Sequence, residues 1–516
     1  MTVRPGTGRT AATTSIVWVV LIVGGCGGIM RHYDVAPNGL ANRDARLRQL
    51  LAEQRYDSAL ARIELAEAAP DDPLLRSLYE GLVAHYAGAH ERSAAAFQLA
   101  ADLADDRYTK SVSRGALSLL TSDHTLLYEP APSERMLLHF YAALGFLKAD
   151  ELQDAAVEAR RLAVLLEASE GRDQPAPELR RMLRYFTGVI FEAAGERNDA
   201  AVAYRWAAVG QAVDSAAAAL ADTAPAAAGV ATGEVVVILE RGFIAHRVEE
   251  ALIVALDDTE AAALSAGGEA RAGAAAAVAA RVLATALRDD RARLGDGGGR
   301  TLFVDLPPQP AVPTVTTHAQ DGEGAEQTED DEELLPYLLK VAWPAFRQEG
   351  RDASPLDLRT AAGPAAPLAR VDVSAAVMAD YDNERTLLLT RTIARAATKF
   401  VMTKSLEKKA GEKDAALGTL AGLLGNAGGF LSERADTRSW TLLPKSITIT
   451  RLRLPAGEQT LWLGAGQPIG TAPTAPTANG AATVESAAPL LAAGRDIATV
   501  QVQPGRVTVV AARVWR

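Results

Sequence analysis

The stretch Gly81-Leu-Val-Ala-His-Tyr-Ala-Gly88-Ala-His-Glu-Arg-Ser93-Ala-Ala-Ala-Phe97-Gln-Leu-Ala100 decides how the first half of this chain folds. Its landmarks Gly81, Gly88, Ser93, Phe97 and Ala100 recur at identical offsets as Gly188, Gly195, Ala200, Tyr204 and Ala207. The pattern has a packing reason. Two antiparallel helices approach closely only where small residues face each other, a glycine serves the tight turn between them, and one aromatic fills the groove to the next pair. A second register lies upstream, where Tyr56, Ala59, Ile63 and Ala66 are followed 34 residues later by His90, Ser93, Phe97 and Ala100. Ala155, Ala159 and Leu162 form a degenerate copy behind a helix around Leu137–Phe146. Helix after helix is therefore expected across residues 41–222, with 111–129 and 170–178 as loops or insertions.

A period of 34 residues is that of tetratricopeptide hairpins. The expectation for 41–222 is accordingly a tetratricopeptide-like α-solenoid, whose curved surface suits the recognition of other proteins. Alanine, proline and glycine mark 223–233 as a linker. Residues 234–443 read as an α+β region. Its strands are expected at Glu234–Glu240, Thr301–Asp305, Tyr337–Ala342 and Ala369–Val373, with helices over Glu269–Arg288 and Asn383–Lys409. From 444 to 516 the period changes to two, as in Ser446-Ile-Thr-Ile-Thr-Arg-Leu-Arg-Leu454, and predicts a small C-terminal antiparallel β unit. The fold class expected is multidomain, α plus α/β.

The chain starts with Arg4 and Arg9, an apolar run from Ala11 to Val23, and the string Leu21-Ile-Val-Gly-Gly-Cys26. A basic start, a short apolar core and small residues before the cysteine are parts of an export signal. The run is shorter than the roughly 20 residues that span a bilayer. Val23-Gly-Gly-Cys26 resembles the lipobox of bacterial lipoproteins. That resemblance implies a leader over 1–25, acylation of Cys26 and a tether over 26–40. Gly27 and Gly28 lack the aspartate that holds such proteins at the inner membrane, which implies the periplasmic face of the outer membrane. With one cysteine no internal disulfide is available. Loss of a leader that carries two arginines and no acid takes the formal charge from −11 to −13. This balance argues against nucleic acid, whose phosphates need clustered Lys and Arg.

Several segments resemble a family of uncharacterised bacterial lipoproteins with tetratricopeptide repeats. They are Phe140-Tyr-Ala-Ala-Leu-Gly-Phe-Leu147 with Asp154-Ala-Ala-Val-Glu-Ala-Arg-Arg161, then Gly233-Glu-Val-Val-Val-Ile-Leu-Glu-Arg-Gly242, Arg391-Thr-Ile-Ala-Arg-Ala-Ala-Thr-Lys399 and Ala435-Asp-Thr-Arg-Ser-Trp440. The last, followed by Leu442-Leu-Pro444, is the most specific. The resemblance implies an exported, lipid-anchored envelope protein and supplies no activity.

Motifs of catalysis are incomplete in this sequence. Ser405-Leu-Glu-Lys408 has the spacing of a serine–lysine pair, but its partner strings are missing. Gly464-Ala-Gly466 is followed by a Pro/Thr tract rather than a phosphate-facing helix. The seven histidines are scattered, and the acids of Asp321–Glu333 lack calcium-loop spacing. No cofactor or metal is expected. Two constellations remain as candidate binding residues. Arg391, Arg395 and Lys399 fall four apart on one helix face, suited to anionic lipid headgroups, acidic glycan peptides or the acidic loop, or simply a solvated face with Leu388, Ile393 and Phe400 turned inward. Asp436 and Arg438 are placed to pair over Trp440, as a structural lock or as a site. The apolar stretch Ala416–Leu431 is too short to span a membrane and reads as a buried hairpin.

The function these features favour is a non-enzymatic envelope scaffold that binds envelope proteins through its repeats and the membrane through its anchor. Alternatives are a cell-wall-acting enzyme centred near Asp436 and Arg438, or a structural subunit in outer-membrane assembly or peptidoglycan-synthesis control. Replacing Cys26→Ala should move the protein from the membrane to the soluble envelope fraction. Mass spectrometry should find an acylated residue 26 at the mature terminus; a free sulfur with residues 1–25 still attached would reject the anchor.

Overall fold

The computed structural model describes residues 39–65, 72–111, 127–169, 176–207, 231–256, 258–266, 268–288, 301–304, 337–348, 356–361, 363–412, 433–465 and 495–515. Cys26, most of the linker, the acidic loop, the 416–431 stretch and the Pro/Thr/Ala tract lie outside these residues.

Among the described residues eight helices come first: α1 (Gly39–Ala52), α2 (Tyr56–Glu64), α3 (Pro73–Ala87), α4 (His90–Ser111), α5 (Pro132–Lys148), α6 (Leu152–Ala168), α7 (Pro177–Ala193) and α8 (Arg197–Ala207). They form hairpins in chain order, each packed on the next. Every hairpin closes in the same way. The turn residues Gln54, Gly88, Asp150 and Gly195 all take positive φ, between 58° and 81°. In each case the following amide reaches back five residues: Arg55 to Leu50, Ala89 to Ala84, Glu151 to Phe146 and Glu196 to Phe191, at 2.8–2.9 Å. This is the closure in which a left-handed residue satisfies the orphan carbonyls of a helix end. Within the hairpins, the small residues do what their spacing predicts. A Cβ on Gly81 would meet the Phe97 ring at 2.9 Å, and one on Gly188 the Tyr204 ring at 2.6 Å. Ser93 adds a hydroxyl donated to the Gly81 carbonyl at 2.8 Å.

Beyond the hairpins the chain is a mixed α plus β assembly. β1 (Thr232–Arg241) lies inside a first sheet, with β11 (Val507–Val514) parallel on one side, β8 (Ser446–Pro455) antiparallel on the other and β7 (Ala369–Asp372) outside β8. A second sheet has the order β10 (Arg495–Val502), β9 (Gly457–Ala465), β5 (Leu356–Thr360), β6 (Gly363–Ala365). The first sheet is buried on both faces. Val236 and Ile238 share a core with the helical hairpins, whereas Val235, Val237 and Leu239 pack against Leu461, Leu463, Val500 and Val502 of the second sheet. Burial on both sides explains why β1 is a continuous apolar run rather than an alternating one.

A third sheet joins β2 (His246–Leu256) to β3 (Thr301–Val304) and β4 (Tyr337–Arg347). Leu252, Val254, Val341 and Trp343 on one face meet α9 (Asp258–Ala266), α10 (Gly268–Arg288) and α11 (Val373–Gly411). Helix α11 begins ten residues before its expected start. Asp372 accepts the Ala375 amide at 2.8 Å, a cap that starts the helix directly after β7.

The separate antiparallel unit expected over 444–516 is not how these strands pair. β8 and β11 flank β1, one of them in parallel, and β9 joins β5. Both sheets thus draw on either side of the 443/444 boundary. Period-two alternation reports a half-buried strand but carries no information on which strand lies beside it. β2, β5, β6 and helix α9 are not among the elements expected from the sequence, and β4 runs five residues past its expected end.

Substituting Gly81→Ala or Gly188→Ala tests the helix contacts. Helix propensity alone would favour alanine by about 1 kcal/mol, but overpacking against a wedged ring costs about 1–3 kcal/mol. A net loss of up to about 2 kcal/mol, larger for Gly188, is expected in urea unfolding.

Candidate functional site

The string with the strongest sequence signature, Ala435-Asp-Thr-Arg-Ser-Trp440, lies in a strap over residues 433–445 that is neither helix nor strand. It runs between the hairpins and the sheets and bonds to both. Glu433, at its start, accepts Arg395 Nη2 at 2.7 Å and Nε at 3.1 Å, and Lys399 Nζ at 2.7 Å. The Ala435 amide donates to Glu249 of β2 at 3.0 Å, and Glu249 also accepts Lys340 of β4 at 2.9 Å. At its far end Lys445 donates its amide to the Arg241 carbonyl and accepts the Val373 amide, at 2.8 and 2.7 Å.

The middle of the strap meets three carboxylates of the helices. Asp72 caps α3 through the Leu74 and Leu75 amides and binds Arg107 Nη1 at 2.9 Å. Arg438 Nη1 stands 3.9 Å from the same carboxylate, while its Nε and Nη2 hold Asp436 at 2.8 and 2.7 Å. Glu134 of α5 accepts the Trp440 amide at 3.2 Å, the Tyr128 hydroxyl at 2.7 Å and the Ala131 amide at 2.9 Å. Asp44 of α1 accepts the Thr441 hydroxyl at 2.6 Å and the Tyr79 hydroxyl at 2.7 Å. Between these anchors the Trp440 ring is wholly buried, with the Phe97 and Tyr141 rings each 5.8 Å from it. Arg247 of β2 donates to the Arg438 carbonyl at 3.3 Å.

Electrostatics follow from this enclosure. Burial pushes the Tyr79 and Tyr128 hydroxyls well above the usual phenol range, and the adjoining Asp44 and Glu134 charges add to it, so both remain donors. Burial acts to lower the Arg247 and Arg438 guanidiniums. Their acidic neighbours outweigh it, Glu134 foremost for Arg247 and Asp436 for Arg438, and both are raised. Asp380 of α11 behaves differently. Burial pushes its carboxyl up to about 6, against the hydrogen bond it accepts from the Ser133 amide at 2.7 Å and with further repulsion from Glu134 and Glu384.

A second junction ties the last hairpin to the first sheet. Arg451 of β8 binds Glu192 with Nη1 and Nη2, both at 2.9 Å, and reaches Glu234 of β1 at 3.2 Å; Tyr204 donates to Glu192 at 2.6 Å.

The structure thus brings Asp436, Arg438 and Trp440 together, as the sequence suggested, and places them inside a joint. Trp440 has no face left for a ligand. The Arg391–Arg395–Lys399 stripe is not one solvated surface: Arg395 is buried against Glu433 and Lys399 closes on the same carboxylate, which Arg391 does not join. The reason is that Glu433 enters from a distant part of the chain. Asp44, Asp72, Tyr79, Glu134, Arg247 and Asp380 were not singled out by sequence. Only Asp72, just before Pro73 and an apolar helix, carries a local signal, that of an N-cap.

Among the described residues no group of three or more His, Cys, Asp or Glu stands where a metal would bind, and no helix is long and apolar enough to cross a membrane. Comparison with protein-family models, curated proteins and solved structures found no match.

Asp380 gives a pH prediction. Its folded pKa of about 6 exceeds the ordinary 3.8, so the folded state holds the proton more tightly. Stability from this group is present at low pH and falls as pH rises from about 4 to about 6. Asp380→Asn keeps an acceptor for Ser133 without the charge. Its stability relative to wild type should be near zero at pH 4 and rise to roughly 2–3 kcal/mol in favour of asparagine at pH 7. A difference that does not change with pH would reject the assignment.

Proposed function

We propose that this chain is a lipid-anchored envelope scaffold whose hairpins are tetratricopeptide-type repeats. The support for the repeat reading is the 34-residue register, the shared small-on-aromatic contacts and the common turn geometry at Gln54, Gly88, Asp150 and Gly195. The resemblance of the leader to a lipobox, with acylation at Cys26, supports placement on the periplasmic face of the outer membrane.

The first helices of the hairpins bear the protein's own strap and first sheet: α1 through Asp44, α3 through Tyr79 and Asp72, α5 through Glu134 and Tyr141. Partner proteins are therefore assigned to the outer helices. The observation that carries this is a run of exposed apolar side chains on successive second helices: Leu99 on α4, Val157 and Val164 on α6, Val202 and Trp206 on α8. Exposed apolar side chains that gather into one patch mark interaction surfaces on proteins, and this reading takes these five as its elements. The wall-acting enzyme reading has weaker support, since the charges of Asp436 and Arg438 are directed at each other and at Asp72.

A photo-crosslinking residue at Val157, Val164 or Val202 in intact cells should give one discrete adduct, shared between positions. Absence of any adduct from these sites, with adducts arising from the sheet surface instead, would overturn the assignment.

A further inference from the structure

Asp380 stands where helix α11 packs on α5. It is 4% exposed and accepts the Ser133 amide, in the first turn of α5, at 2.7 Å. Its neighbour Tyr381 donates a hydroxyl to the Pro344 carbonyl of β4. The first turns of α11 therefore join the third sheet to the hairpins. The charges that act on Asp380 are of its own sign. Glu134 follows Ser133 on α5, Glu384 lies one turn along α11, and both repel a charge on Asp380. Glu129, ahead of α5, is itself pushed up by burial and by Glu384. The cations of the neighbourhood serve other carboxylates. Arg135 binds Asp105 at 3.0 Å and acts on Glu129, Arg385 is drawn to Glu250, and Arg247 of β2 to Glu134 and Asp436. The Ser133 hydroxyl, at the same contact, is buried without a hydrogen-bond partner among the described residues. A neutral carboxyl brings an O–H donor to this contact, which a carboxylate lacks.

We propose that Asp380 is a proton-operated latch: with a proton on it the first turns of α11 close on α5, and without it they part from α5 and loosen the strap. The strap is involved through the next residue, since Glu134 accepts the Trp440 amide at 3.2 Å. A carboxylate enclosed beside two others, with its one amide donor and no cation of its own, is costly to keep in the closed contact. The working range follows from the same enclosure. Burial pushes the Asp380 carboxyl up to about 6, whereas a carboxyl freed by opening returns toward the ordinary 3.8. The closed form thus holds the proton more tightly, so closure is favoured in acid and weakens as pH rises through this range. The inference does not depend on the repeat, scaffold or anchor readings, because it is built from α5, α11 and the strap alone.

The test is hydrogen exchange of the full chain, read by mass spectrometry and corrected for intrinsic amide rates. Between about pH 4.5 and about pH 7.5 the opening equilibrium should rise about 25-fold. The rise should appear as lost protection in peptides from the start of α5, the first turns of α11 and the strap around Trp440. Peptides of α7 and α8, at the second junction, should show no such step. Asp380→Asn should remove the step. Glu384→Gln, at an exposed position that the fold does not need, should move the step to lower pH, because one repelling charge is gone. Protection that does not change with pH, a step that survives Asp380→Asn, or a step that Glu384→Gln leaves in place would overturn the proposal. So would an equal step at the second junction, which would make Asp380 a contributor to global stability alone.

Discussion

Three buried carboxylates of the helical hairpins, Asp44, Asp72 and Glu134, set the main constraint on this structure. Each is less than a tenth exposed, and each finds part of its coordination in the strap: Thr441 for Asp44, Arg438 for Asp72 and the Trp440 amide for Glu134. An ionised carboxylate taken from water without full partners costs several kcal/mol. The hairpins therefore cannot reach their lowest free energy without a segment more than 300 residues further along the chain, as the 306-residue separation of Glu134 and Trp440 shows.

That dependence changes what the repeats are physically. A free helical array contacts only its neighbours, and its stability is close to a sum of local terms. Here one continuous core runs from Leu47 of α1 through Phe97 and Tyr141 to Trp440 and on to Ile238, Ile447 and Trp515 of the first sheet and its surroundings. Tyr141 also donates its hydroxyl to the buried Glu240 of β1. The array and the sheet share side chains that neither can bury alone, so they are expected to unfold together. The same joint turns α1, α3 and α5 inward through Asp44, Tyr79 and Glu134.

The helical part was legible in detail because its rules are local. Gly88 and Gly195 announced their turns, and Gly81 and Gly188 announced close helix approach. The equivalent turns at Gln54 and Asp150 were hidden, since a non-glycine residue in the left-handed region leaves no compositional mark. The candidate site was half legible. The Asp436–Arg438 pair, two residues apart, is a local contact, whereas Arg395 with Glu433 and Thr441 with Asp44 are separated by 38 and 397 residues. No spacing rule reaches that far.

By itself the amino-acid order determined the helical register, the small-residue contacts, the strand at Glu234–Glu240 and the pairing of Asp436 with Arg438. Each follows from periodicity or short-range geometry. Tertiary structure alone decided that β1 lies between β8 and β11, that the basic stripe of α11 closes on Glu433, and that Trp440 is an inner packing residue. These rest on which distant groups must cover one another to exclude water and satisfy buried charge, a condition that exists only once the whole chain is assembled.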